Sequence, residues 1–113
     1  IRTQIGTPSE RDLAKRTRTA EILFDDMTRP TRVYELAPIV VRELTAGGIQ
    51  EEDSVFVCAL GTHGALTSNE FRKKIGQENV ERIRVFNHNI YEKCVEVGTT
   101  SRGTRLLGNR EFM

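Results

Sequence analysis

Tryptophan is missing from this 113-residue chain and aromatic residues make up only 6% of it. That scarcity argues against a stacking surface for single-stranded nucleic acid. No apolar run approaches the ~20 residues of a membrane span, and no signal peptide is visible. Only two cysteines occur, Cys58 and Cys94. They are far apart and form no CxxC pattern, so Cys58, within an apolar run, reads as a free buried thiol. A cytoplasmic address fits this usage. Charge of either sign is not in excess: 17 Lys and Arg face 16 Asp and Glu, for a net +1. The basic clusters Arg11-Lys15-Arg16-Arg18 and Arg72-Lys73-Lys74 fall on predicted helices and read as solvated faces. Neither GxGxxG nor the Walker pattern is present, and there is no internal repeat or low-complexity tract. Nucleic acid and membrane are therefore not expected partners.

What is present suits one α/β domain with a single core. The segment Thr7-Pro8-Ser9-Glu10 has the form of a capping box and predicts a helix from residue 8 to about 16. Ala20-Glu21-Ile22-Leu23-Phe24 reads as a strand. Val33, Leu36, Ala37, Val40, Val41 and Leu44 then recur at helical spacing, with a stop at Gly47-Gly48. Pro38 either occupies that helix's first turn or kinks a longer helix beginning near Thr31. The unbroken apolar run from Val55 to Leu60 predicts a strand covered on both faces, as in a parallel sheet. A second capping box, Thr67-Ser68-Asn69-Glu70, opens a helix that closes at Gly76. Ile83, Val85 and Phe86 mark a third strand, and further extended pieces are expected around Val95-Glu96-Val97 and Arg105-Leu106-Leu107. Alternating helices and strands predict βαβ units with right-handed crossovers. The expected fold is a Rossmann-like three-layer α/β sandwich with a mainly parallel sheet. The chain starts at Ile1 and stops at Arg110-Glu111-Phe112-Met113 without a closing signal, so it is expected to be a fragment of a longer protein.

Two polar stretches follow predicted strands: Asp25-Asp26-Met27-Thr28-Arg29-Pro30 and Gly61-Thr62-His63-Gly64. In open α/β sheets ligands bind beyond the carboxyl ends of the strands. Asp26 and Arg29 lie three residues apart in a tight loop. Arg suits bidentate recognition of a carboxylate or phosphate, and Asp can accept from a sugar hydroxyl. The same pair reads equally as a structural ion pair, with Thr28 capping a turn. His63 is placed to exchange protons near neutral pH, although a lone histidine is also commonly a hydrogen-bonded structural residue. No ligand spacing supports a metal cluster of His63, His88, Cys58 and Cys94.

Taken in order, the stretches at residues 25–30, 59–63, 87–88 and 98–104 (Gly98-Thr99-Thr100-Ser101-Arg102-Gly103-Thr104) resemble the N-terminal domain of the nickel-dependent lactate racemase family. The resemblance runs from Leu23 to Thr104. It implies a racemase or epimerase that inverts a small, lactate-like 2-hydroxy acid by hydride transfer to a tethered nickel-pincer cofactor. That cofactor is a pyridinium mononucleotide carrying two sulfur-bearing arms. The resemblance further implies that Asp26, Met27, Thr28 and Arg29 cradle the cofactor, that Arg29 also approaches the substrate carboxylate, and that His63 is one of two catalytic histidines. The second histidine, the nickel-ligating histidine and the tethering lysine would lie beyond Met113. No nickel ligand is therefore expected within the chain. Residues 1–113 would be a partial N-terminal domain whose C-terminal domain lies outside the chain, and the piece alone would be inactive.

The residues agree chemically with that role. Inverting a hydroxylated carbon by hydride transfer needs a base for the hydroxyl proton as the hydride departs. Two bases on opposite faces serve the two enantiomers, and His63 can supply only one. His88 is expected to order the loop after the third strand, and Ser101, Arg102 and Thr104 to shape the sheet's edge or a join to the rest of the protein. One departure stands near the site: family members often carry Arg directly after the catalytic His, and here Gly64 occupies that position. Substrate preference is therefore open. The alternative from a different class is a non-catalytic module that binds an anionic small molecule or nucleotide through Arg29 and loop amides. An isolated half of a two-domain protein would also expose surface normally covered by its partner domain, so self-association is expected.

Overall fold

Three parallel strands carry the fold. The computed structural model describes residues 5–110, so the chain ends read above, at Ile1 and at Glu111-Phe112-Met113, lie outside the described residues. The elements are α1 (Glu10–Ala14), β1 (Ala20–Phe24), α2 (Val33–Ala46), β2 (Ser54–Cys58), α3 (Ser68–Ile75), α4 (Gln77–Arg82), β3 (Arg84–Asn87), β4 (Cys94–Thr99) and β5 (Arg105–Asn109). A 3-10 turn, Glu51–Asp53, leads into β2. The strand order is β1-β2-β3, all parallel, while β4 and β5 form a separate antiparallel pair. This is the α/β architecture with a mainly parallel sheet that the alternating elements imply. No helix among the described residues is long and apolar enough to cross a membrane.

Register and pleat decide what is buried. Ile22, Phe56 and Val85 lie side by side across the sheet, as do Phe24, Cys58 and Asn87. Alternation along each strand puts both rows on one face. That face meets Val33 and Ala37 of α2 and Phe71 and Ile75 of α3 in the main core. Phe24 sits edge-on to both Phe56 and Phe71, with ring centroids 6.2 Å apart in each case. The opposite face carries the row Leu23, Val57 and Phe86. Val57 is buried there, whereas Leu23 and Phe86 stand half open.

Local chemistry explains where the helices depart from expectation. The first helix starts at Glu10 because Ser9, not Thr7, is its cap: the Ser9 hydroxyl accepts from the Asp12 amide at 3.1 Å. Pro38 lies inside α2, in its second turn rather than its first, so the helix forgoes the bond position 38 would donate to the Tyr34 carbonyl. The Thr67 capping box is formed, with Glu70 returning to the Thr67 amide at 2.7 Å. Gly76 ends α3 as its position implies, but a further helix, α4, follows at once. Its Asn79 side chain turns back to donate to the Ile75 carbonyl at 2.8 Å, satisfying the end of α3. Strand β2 ends at Cys58, two residues earlier than the apolar run.

The α1–α2 contact depends on a missing side chain. A Cβ at Gly47 would lie 2.7 Å from the Arg11 carbonyl oxygen and would collide with the Ala14 Cβ. Gly47→Ala should therefore cost about 1–3 kcal/mol, the usual range for overpacking, read as a lower urea midpoint with an unchanged slope.

Candidate functional site

Parallel strands in near register bring three carboxyl ends to one edge of the sheet. The backbone ladder runs slightly past them: the Ala59 amide donates to the Phe24 carbonyl at 2.8 Å, and the His88 amide to the Cys58 carbonyl at 3.1 Å. The 25–30 loop after β1 and the 59–67 loop after β2 therefore emerge side by side. Between them lies an open cavity of about 290 Å³ lined by Asp25, Asp26, Arg29, Ala59, Leu60, Gly61, Thr62 and His63. Of the residues singled out by sequence, Asp26, Arg29 and His63 share this cavity, while Met27 and Thr28 are not among its lining residues.

Asp26 is the hub. Its carboxylate is buried, and its Oδ1 accepts from the Thr28 amide at 2.9 Å and the Thr28 hydroxyl at 2.5 Å. Its Oδ2 is joined to Nδ1 of His63. The Thr28 hydroxyl first, and then His63, hold the Asp26 pKa down to about 2. The ring of His63 is half exposed, and the turn that carries it closes through its own amide on the Leu60 carbonyl at 3.1 Å. Gly61 has φ +58°, the left-handed region that glycine enters without steric cost, which lets the chain reverse straight after Leu60. At Gly64 an added Cβ would meet nothing within 4 Å, so the space beside His63 is open.

Arg29 is exposed, and among the described residues nothing pairs with its guanidinium. Its backbone is well held: the amide donates to the Asp26 carbonyl at 3.3 Å, and the carbonyl accepts from Lys74 at 3.0 Å. Lys74 corrects the expectation of a fully solvated basic face for Arg72-Lys73-Lys74. It is buried, and its ammonium reaches the Thr31 carbonyl at 3.2 Å and the Asp25 carboxylate at 2.9 Å. The ammonium thus donates to two carbonyls and forms an ion pair with a carboxylate, all within the 25–31 segment. Burial tends to raise the Asp25 pKa, but the Thr31 hydroxyl and Lys74 together outweigh it and keep it below the usual carboxylate range. The signal for Lys74 was in the sequence. Phe71, Lys74 and Ile75 share one helical face by spacing, and both neighbours of Lys74 on that face are core residues.

Asn87 and His88 divide the work expected of His88 alone. The Asn87 side chain clamps the 59–67 loop, accepting from the Leu66 amide at 3.0 Å and donating to the Leu66 carbonyl at 2.9 Å. The His88 ring instead meets the Asn109 amide group on β5 at 3.0 Å, tying the sheet to the β4–β5 pair. Thr104 and Thr100 close the β4–β5 turn on each other, so the 98–104 stretch shapes this hairpin. Cys58 and Cys94 are both free thiols, and burial together with nearby Asp26 pushes the Cys58 thiol up to about 11. Among the described residues no group of three or more His, Cys, Asp or Glu is placed to hold a metal ion.

The carboxyl edge of the parallel sheet thus gathers Arg29, His63 and the ionised Asp26 around one cavity. A sequence model described as the lactate racemase N-terminal domain matches residues 1–113, and the chain belongs to that family. Among solved structures, the chain is similar to the lactate racemase apoprotein from Thermoanaerobacterium thermosaccharolyticum. The TM-score is 0.81 at 26% identity, over 94% of this chain and 26% of that one. It also shares its fold with a protein from Thermotoga maritima, with a TM-score of 0.60 at 23% identity, over 87% of this chain and 28% of that one. No curated protein sequence matches. The chain thus spans about a quarter of the length of these solved relatives.

Two outcomes follow from the charges at this edge. Folding holds Asp26 ionised more firmly than the unfolded chain does, so its contribution to stability is complete above pH 3.8 and fades as pH falls toward about 2. Urea midpoints measured from pH 6 to pH 2 should drop steeply at the acid end, and Asp26→Asn should flatten that fall. Lys74→Met would leave two carbonyls and a partly buried carboxylate without their cation. A loss of about 2–3 kcal/mol is expected in urea unfolding at pH 7.

Proposed function

We propose that this chain is the N-terminal domain of a longer racemase or epimerase that inverts a small 2-hydroxy acid, with His63 as one of its two acid–base residues. The observation carrying the reading is the shared cavity at the carboxyl edge of the sheet, which Arg29 and His63 both line. Arg29 suits the substrate carboxylate, because a planar fork of donors matches a planar anion. His63 takes the hydroxyl proton of one enantiomer and returns a proton when the reaction runs the other way.

Membership of the family brings a nickel-pincer nucleotide into this reading. The donor set fits its anionic, hydroxyl-bearing portion and not its metal, since the described residues offer acceptors, hydroxyls and one free cation but no metal-ligating cluster. The Asp26-Met27-Thr28-Arg29 loop would hold it, with Asp26 and Arg29 lining the cavity. When bound, the group would supply a hydride acceptor and donor. The metal ligand, the tethering lysine and the second histidine belong, on this proposal, to chain beyond residue 113.

The test uses the longer protein, loaded with cofactor, against a panel of chiral 2-hydroxy acids. Inversion of at least one acid is expected, and His63→Ala should lower kcat by about 10²–10⁴-fold with the fold intact by circular dichroism. Retained turnover in that variant would contradict the assignment of His63. Absence of inversion with every acid, in protein that also carries no nickel, would contradict the reading as a whole.

A further inference from the structure

We infer that Asp26 is a positioning residue for His63: its carboxylate fixes the imidazole in the tautomer with the proton on Nδ1, leaving Nε2 as the free base. This rests on the proposed role of His63, but the tautomer is a property of the chain itself. The two carboxylate oxygens have separate duties. Oδ1 receives the amide and the hydroxyl of Thr28, both of which donate to it. Oδ2 is left for Nδ1 of His63. An ionised carboxylate only accepts hydrogen bonds, so the imidazole nitrogen that faces it must carry the proton. The depressed Asp26 pKa keeps the carboxylate in that acceptor state throughout the neutral range.

The geometry also explains why the loop reads Asp-Met-Thr rather than Asp alone. A free aspartate could rotate and present either oxygen to several partners. Here Thr28 grips one oxygen at two points, 2.9 Å and 2.5 Å away, so the other oxygen has one orientation. The side chains of Asp26 and Thr28 are thereby committed to each other and to His63. Within the 26–29 stretch the ligand-facing group that remains free is the Arg29 guanidinium. A general base oriented by a third group is the arrangement that activated catalytic histidines require.

Replacing the carboxylate by an amide should reverse the tautomer. In Asp26→Asn the Thr28 donors still require an acceptor, so the amide oxygen turns to Thr28 and the NH₂ turns to His63. Nδ1 must then accept, and the proton moves to Nε2, the nitrogen needed as base. The same logic explains why an Asp-to-Asn change can silence a histidine in serine proteases with the geometry kept.

The test is ¹⁵N-detected NMR of histidine side chains in the 113-residue chain, recorded above the titration of the ring. His63 in the unsubstituted chain should be predominantly protonated on Nδ1, and in Asp26→Asn predominantly on Nε2, with the His88 signals unmoved. A His63 ring protonated mainly on Nε2 in the unsubstituted chain overturns the inference, and this reading stands even where the variant fails to fold. An unchanged tautomer in a folded Asp26→Asn chain overturns it as well. In the longer, cofactor-loaded protein, Asp26→Asn should lower kcat by about 10²-fold or more with little change in KM. If the tautomer reverses but turnover survives both this change and loss of the His63 ring, the acid–base role of His63 fails while the positioning role of Asp26 stands.

Discussion

One contact joins the two loops on which the site depends: the ionised carboxylate of Asp26 against the ring of His63. The residues are 37 positions apart in sequence and belong to loops that leave neighbouring parallel strands. It is the side-chain bond that joins the 25–30 and 59–67 loops beside the cavity that Arg29 and His63 both line. The contact is affordable because Thr28 and His63 together stabilise the charge that burial would otherwise penalise.

Other groups hold each loop from below, and each does so by satisfying backbone rather than by touching the cavity. Lys74 crosses from α3 to collect the carbonyls of Arg29 and Thr31 and to pair as a buried cation with the Asp25 carboxylate. Asn87, at the end of β3, mimics a strand by pairing both ways with the Leu66 backbone. The polar end of the molecule is thus anchored at two points in the elements packed around Phe24, Phe56 and Phe71. Loops that carry chemistry on a rigid scaffold follow the general division of labour in α/β proteins.

The strands were legible in the sequence because their signals are local. The apolar runs at 20–24 and 55–58 need no partner to be read, and the parallel order follows from the alternation of elements. The capping box at Thr67 was equally plain. The first cap was misread because two hydroxyls, Thr7 and Ser9, compete within three residues and only geometry chooses between them. The fourth helix was missed because its six residues, Gln77–Arg82, are polar except for Val80 and offer no periodic face. The motifs named two loops that the structure brings together at one cavity, and the pairing of Asp26 with His63 could not be read because it is a contact between distant positions. Lys74 shows the opposite failure: its spacing was visible, but the habit of placing lysine in water overrode it. The resemblance to the lactate racemase family supplied what pattern alone could not, the expectation that these two loops serve one reaction.

The central claim is that Asp26 and His63 act as a unit across two strand ends. A double-mutant cycle of Asp26→Ala, His63→Ala and the pair, followed by urea unfolding at pH 7, measures that coupling directly. The account predicts that the paired change destabilises the chain by clearly less than the sum of the two single changes. Strict additivity would contradict it, since two residues that do not lean on each other lose nothing in common.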